Sequence, residues 1–474
     1  MQIKAPHHDI LGELSALEIG AHIRKGDFTA LEAVTAAIGR LQAVEPHLGG
    51  VACDRSEAAL AEAAALNPLE TTAVFAGVPS LIKDNTDMVG LPTGHGSRAT
   101  SSRPAGKDAA LTRLFQATGL IPIAKTCLPE FGLTATTERT GNPPTRNPWN
   151  PAFSSGGSSG GSAALVAAGV SPIAHANDGG GSTRIPAACC GLVGLKASRN
   201  RLPTAALAKG LPINLIAEGV VSRSVADTAA YYAEVERHFT CPDLPPIGRV
   251  TNPGKARLRI ALVAEHPLGG RCDDDVTAVL QSVGLCCEAL GHNVELAPSM
   301  VTAEMADDFF LYWARLAAAA QYLGGFALGP GFDRHKLEPL TYGLSHHYLR
   351  NIWRSPGAIH RLRKFGKNYQ RQFEQYELIL TPVLATPPVE IGFLAPDLDF
   401  ATAVERLRHY SVFTPPQNVS GTPAIALPLG TSSRGLPVGV QFAAAMGQEA
   451  RLLEVAYELE QAMPWSYPAP LRAQ

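Results

Sequence analysis

The chain has 474 residues, 46% of them hydrophobic and 17% charged, and 42 acidic against 40 basic side chains leave a net charge of −2. Such near-neutrality gives no electrostatic footing for nucleic acid or for an anionic membrane surface, and no apolar run approaches the roughly 18 residues that a membrane-spanning helix needs. The composition instead suits a large buried core, with 45 Gly and 37 Pro implying many turns between short elements.

In chain order, the first segment, MQIKAPHHDILGEL, has no apolar signal core, which predicts a cytoplasmic location. Ser15 to Val44 reads as two amphipathic helices broken at Gly26-Asp27, with Thr29 as N-cap of the second. Ser56 to Leu66 is an alanine-rich helix. Val74 to Lys83 and Leu120 to Ala124 read as strands, the second followed by Lys125. The run from Asn147 to Phe153 reads as loop. Ser162 to Gly169 suits a short helix, and Pro172 to Ala176 a short buried strand carrying His175. Leu258 to Val263, Asp275 to Leu290 and Asn293 to Leu296 make a strand, a helix and a strand, a βαβ-like unit. Glu304 to Tyr376 is aromatic and mixed in charge, opening on Phe309-Phe310-Leu311-Tyr312-Trp313. This alternation predicts an α/β fold whose sheet is covered on both faces. Length alone suggests about three domains, yet nothing reads as a flexible linker.

Two glycine-serine clusters flank the short helix. Gly156-Gly157 runs into Ser158 and Gly179-Gly180-Gly181 into Ser182, and glycine runs allow the close backbone approach that an oxyanion-binding loop requires. A serine hydroxyl needs a base within hydrogen-bond reach before it attacks a carbonyl. His175 reads as a structural histidine. Lysine serves if burial lowers its pKa from about 10.4 toward about 7 to 8, and Lys83 follows the apolar run Val78-Pro79-Ser80-Leu81-Ile82. Lys125 is the rival, and a lysine merely ending a strand is the plain alternative for either.

Read together, these segments resemble the amidase signature family of Ser-Ser-Lys amide hydrolases. GVPSLIKDNTDMVGLPTGHGS looks like the family's lysine segment, RNPWNPAFSSGGSSGGSAALVAAG like its first serine segment and NDGGGSTRIPAACCGLVGLKAS like its nucleophile segment. YELILTP from Tyr376, NVSGTPA from Asn418 and GLPVGVQ from Gly435 are similar to its closing strands. The likeness spans nearly the whole chain and is weakest between about 265 and 375. It implies one large α/β domain over residues 1–474 with a central mixed sheet covered by helices, a catalytic core at 65–205 and a variable helical region at about 300–376 that covers the substrate. It implies Ser182 as acylating nucleophile, Ser158 on a cis Gly157-Ser158 peptide as bridging serine, and Lys83 as base. The N–H groups of Gly179, Gly180, Gly181 and Ser182 would bind the oxyanion, while Ser159, Asp178 and Arg184 would support the machinery. For Asp178 with Arg184 a plain surface ion pair is the alternative. Phe131, Thr137, Tyr312 and Asn418, with Gln417 beside it, are the residues expected to line the substrate.

Departures from the family pattern narrow the reading. His175-Ala176-Asn177-Asp178 replaces the more usual Gly-Thr-Asp, and Thr183 stands where an aliphatic residue is typical. HANDGGGS resembles the 6-aminohexanoate-cyclic-dimer hydrolase-like branch, although aryl acylamidases and urethane hydrolases have similar segments. Ile185 follows Arg184 where the tRNA-dependent amidotransferase A subunits carry glutamine. The expected activity is hydrolysis of a small-molecule amide through an acyl-enzyme; an amidotransferase subunit passing ammonia to a partner and a noncatalytic scaffold are the alternatives. A homodimer is compatible with the chain.

Other motifs fall away. Gly156-Gly-Ser-Ser-Gly160 matches G-x-S-x-G, but no apolar strand precedes it as a nucleophile elbow demands. No glycine run continues as G-K-[ST], and no strand-borne G-x-G-x-x-G opens a dinucleotide unit. The 14 histidines include no H-E-x-x-H, so neither metal nor cofactor is expected. Eight cysteines without a C-x-x-C, including the pairs Cys189-Cys190 and Cys286-Cys287, read as reduced thiols, with Cys127 and Cys189 as packing residues.

Overall fold

The computed structural model describes residues 2–204 and 210–468. Helices Ala16–Lys25 and Ala30–Leu48 each open on a capping box, Ser15 with Glu18 and Thr29 with Glu32; in each, one side chain satisfies an orphan N–H at the helix start and the other answers back to the cap. Gly26, at φ 78°, ends the first helix, so the break falls where the sequence places it.

Strands β1 (Val51–Asp54), β2 (Pro79–Lys83) and β3 (Ile121–Thr126) form a small sheet with β3 in the middle, antiparallel to β1 and parallel to β2. β2 starts later than expected. Gly77 stands at φ +81°, Val78 N–H closes a turn onto Phe75 O at 3.0 Å, and the chain straightens only at Pro79. The run expected as loop around Asn147 is a hairpin, β4 (Arg146–Asn147) with β5 (Asn150–Ser154). Its turn is closed by Asn147 Oδ1 accepting the Trp149 N–H at 3.0 Å, an asparagine turn that mimics a backbone one.

The large sheet has eight strands: β6 (Ile173–Asp178), β7 (Val193–Lys196), β8 (Ala217–Ser222), β9 (Arg259–Leu262), β10 (Asn293–Leu296), β11 (Leu378–Pro382), β12 (Ala424–Thr431) and β13 (Pro437–Ala443). Their order is β10-β9-β11-β13-β12-β7-β8-β6, parallel at β10–β9 and β9–β11 and antiparallel elsewhere. The expected βαβ unit is present as β9, helix Asp274–Ala289 and β10. Every residue of β6, β7, β8, β11 and β13 is buried, as strands covered on both faces are. The fold is thus α/β, a large mixed sheet flanked by helices.

The small sheet meets the large one through side chains. Ser80 Oγ donates to Ile173 O at 2.7 Å, Ser171 Oγ to Pro79 O at 3.1 Å, and Lys83 N–H to His175 Nδ1 at 3.2 Å. β2 therefore runs beside β6, and Lys83 arrives next to the residues that end β6. Above them, helix Ala303–Ala327 packs on helices Pro339–Arg350 and Ser355–Arg371.

Candidate active site

Lys83 ends β2 fully buried, and its Nζ donates to three oxygens: Ser158 Oγ at 2.8 Å, Ser159 Oγ at 2.9 Å and Asn177 Oδ1 at 2.7 Å. Burial lowers its pKa to about 7, against the pull of Glu218 and Asp178, because an ammonium loses more solvation than a neutral amine when buried. Lys125 is equally buried, but its Nζ sits 2.8 Å from Asp84 Oδ1 and donates to Pro92 O and Thr93 Oγ1. With its Nζ engaged by a carboxylate and without a hydrogen bond to either serine loop among the described residues, Lys125 is separated from Lys83 by geometry. His175 offers Nδ1 to the Lys83 N–H and Nε2 to Glu218 at 3.1 Å, a structural placement.

The two serine loops are tied together. The Gly157–Ser158 peptide is cis, and Ser159 N–H donates to Ser182 O at 3.2 Å. Gly132, at φ +69°, abuts the first loop so closely that a Cβ there would lie 2.9 Å from Ser158 Oγ. Ser182 lines a cavity, and its hydroxyl makes no hydrogen bond among the described residues.

Asp178 and Arg184 form a buried pair, which rules out the surface alternative. Arg184 Nε and Nη2 reach the two Asp178 oxygens at 2.9 Å each, and both side chains are fully buried. The remaining guanidinium donors go to Gln417 Oε1, Gln441 Oε1 and Asn418 Oδ1 at 2.8 Å and to Thr414 O at 2.9 Å. Burial alone would raise the Asp178 carboxyl; Arg184, with Lys196 and Asn418, more than offsets it and holds the group well below the usual carboxylate range. Asp178 Oδ1 also accepts the Gly181 N–H at 2.7 Å. Gly181, expected to face an oxyanion, is therefore committed to Asp178. The N–H groups of Gly179, Gly180 and Ser182 carry no hydrogen bond among the described residues.

The cavity in front of Ser182 is mainly apolar. Leu133, Ile185, Met305, Phe309, Phe310, Trp313 and Val412 supply walls, with Gly180, Ser411 and Arg408 at other points. None of the four residues expected to line it does so. Phe131 sits at φ 50° with its ring against His95, leaving Gly132 and Leu133 as the lining. Thr137 Oγ1 donates to Gly156 O at 2.9 Å, under the serine loop. Tyr312 turns from Phe309 and Trp313 to bond the Ile213 backbone, donating to its O at 2.7 Å. Asn418 is spent on Arg184, Asp178 and Leu215 O, and Gln417 on Arg184 and Tyr369.

Sequence reading missed Asn177, Thr414, Gln441 and Gly132. Asn177 carried a signal, since it stands in the stretch that departs from the family pattern. Gln441 closes the GLPVGVQ segment but nothing local gives it a role, and Thr414, whose Oγ1 donates to Gly180 O at 2.6 Å, carries no signal; both lie over 200 residues from the loop they hold. Cys127 and Cys189 are buried thiols pushed up to about 12 by burial. Among the described residues, no group of three His, Cys, Asp or Glu side chains could hold a metal ion.

A mixed sheet that brings a buried low-pKa lysine to two serine loops beside an apolar cavity defines a hydrolase site. The Amidase family model matches residues 32–453, and the chain belongs to this family: it is an amide hydrolase acting on carbon-nitrogen bonds. It is 46% identical over 459 residues to a Mycobacterium leprae protein named "Putative amidase AmiC", covering 97% of each chain. It is 33% identical to the 6-aminohexanoate-cyclic-dimer hydrolase of Paenarthrobacter ureafaciens, covering 94% of this chain and 93% of that one. A solved structure of 6-aminohexanoate cyclic dimer hydrolase complexed with substrate superposes with a TM-score of 0.86 at 31% identity, over 95% of this chain and 97% of that one.

Proposed function

We propose that Ser182 attacks the amide carbonyl, Ser158 bridges, and Lys83 is the base. The observation that carries this reading is the buried Lys83 Nζ at 2.8 Å from Ser158 Oγ, in a loop hydrogen-bonded to Ser182. Neutral Lys83 takes the Ser158 proton while Ser158 takes that of Ser182; the lysinium then returns a proton through Ser158 to the leaving amine, and water hydrolyses the acyl ester. The unengaged N–H groups of Gly179, Gly180 and Ser182 stabilise the oxyanion. Asp178, pinned by Arg184, and Ser159 hold the two loops.

The substrate is a small-molecule amide with an apolar acyl part, aliphatic or aryl. Support comes from the hydrocarbon and aromatic walls, and a 6-aminohexanoate oligomer, an aryl acylamide or a carbamate of similar bulk suits them. Residues from about 300 to 376 cover the acyl site, a role supported by Met305, Phe309, Phe310 and Trp313 in its wall. A cytoplasmic setting is in keeping with eight free thiols, and among the described residues no helix is long and apolar enough to cross a membrane.

The test is product analysis by mass spectrometry on cyclic and linear 6-aminohexanoate oligomers, anilides, primary amides, carbamates and esters. Turnover is expected for the apolar acyl members and falls on the order of 10⁴-fold or more in Ser182→Ala. Turnover that survives this substitution overturns the assignment.

A further inference from the structure

Lys83 Nζ meets three oxygens, and counting hydrogens decides which of them faces its lone pair. A neutral amine has two N–H donors and one lone pair. Asn177 Oδ1 is a carbonyl oxygen and only accepts. Ser159 commits its own hydrogen to the Asn177 backbone O at 3.3 Å, so toward Lys83 it also only accepts. Both N–H groups are thereby assigned. The lone pair is left for the Ser158 O–H, whose oxygen makes no other hydrogen bond among the described residues. A carboxamide can present either end, and an amine with hydrogens to place selects the oxygen.

We propose that the Asn177 carboxamide is a positioning residue that turns the lone pair of neutral Lys83 toward Ser158. The inference rests on the reading of Lys83 as base. Once Lys83 is protonated, its third hydrogen points at Ser158 and all three oxygens accept, so the same frame holds the lysine before and after proton transfer. Asn177 lies on β6, and its side-chain oxygen is the shortest of the three contacts. The charged and titratable groups around it are named readily. Asp178 follows it and is held by Arg184; Glu218 reaches across from β8 and meets His175 Nε2; Asp84, after Lys83, is held by Lys125. Asn177 contributes an uncharged acceptor among them, which orients the amine without stabilising its charge as a carboxylate would.

The test reads activation of Ser182 directly, as the rate of its labelling by a fluorophosphonate between pH 5 and pH 10, followed by intact-protein mass spectrometry. In that reaction Ser182 Oγ bonds to phosphorus, the P–F bond breaks, fluoride leaves and the serine proton passes through Ser158 to Lys83. Asn177→Thr and Asn177→Val have nearly the same shape, suit a strand and differ in one acceptor oxygen. Asn177→Thr is expected to label close to the native rate, and Asn177→Val on the order of 10- to 100-fold more slowly at the plateau, with similar melting temperatures. Asn177→Asp puts a carboxylate against the amine and moves the acid limb up by about 1–3 pH units, a shift that a merely structural role would not give. Equal plateaus for the Thr and Val variants, with an unmoved limb for the Asp variant, overturn the inference while Lys83→Ala still fails to label. Lys83→Ala that labels at the native rate overturns the reading of the base and the inference with it.

Discussion

The signature loops and the helical region above them meet at one cavity but are built on opposite terms. Around Ser158, Ser182 and Lys83 a network of buried polar side chains holds the loops; Arg184 alone reaches five partners. Helix Ala303–Ala327 contributes Met305, Phe309, Phe310 and Trp313 to the wall, while further along Phe326 is 94% exposed. Hydrogen bonds are directional and costly to leave unmade, so they hold atoms where proton transfer demands tenths of an ångström. Apolar contacts are not directional, and they set what volume fits.

The sharpest break of this contrast is Arg184→Ala. It leaves Asp178 buried without its partner, and a loss of about 3–5 kcal/mol in unfolding free energy is expected, measured by urea denaturation. If the variant unfolds at the native urea midpoint, the buried network does not hold the loops. The helical side is probed by Phe309→Ala and Trp313→Ala. These should cost about 1–3 kcal/mol of discrimination between large and small apolar acyl groups, read as kcat/KM ratios across an acyl series. Unchanged ratios would remove these two rings from specificity.

The pH profile sharpens the polar side. Burial sets Lys83 at about 7, and only its neutral form accepts a proton; kcat/KM should therefore fall about tenfold per pH unit below 7 and level off above it. Lys196 is also buried and lowered to about 7, but its Nζ donates to Ala197 O, away from the serines. Lys196→Met should leave the acid limb in place; a limb that disappears in this variant would belong to Lys196. The smallest effect is reserved for Phe326→Ser, which at so exposed a site should change stability by no more than about 0.5 kcal/mol and leave turnover as it was.

Much of this was legible along the chain. The two N-terminal helices, the break at Gly26 and the Thr29 cap follow from the sequence, because caps are local signals. The βαβ unit follows from periodicity, and the lysine and serine segments from short contiguous motifs. What misled was also local: Tyr312 was expected at the substrate where its neighbours Phe309 and Trp313 stand, and the hairpin at Asn147 was hidden by its prolines. A helix exposes the same periodic stripe whether it faces a core or a cavity, so only packing separates the two cases.

By itself the sequence determined the family and the α/β class, and it pointed to Lys83, Ser158 and Ser182 as candidates, since each signal is carried by residues close together in the chain. Tertiary structure alone decided that Lys83 rather than Lys125 is unpaired by a carboxylate, that Asp178 and Arg184 are buried, that the Gly181 N–H is already engaged, and which aromatics form the wall. Even where the pair itself is close in the chain, as Asp178 with Arg184, its burial is set by partners as distant as Gln441, 257 residues away. Burial and pairing are properties of three-dimensional neighbours, and no local pattern encodes them.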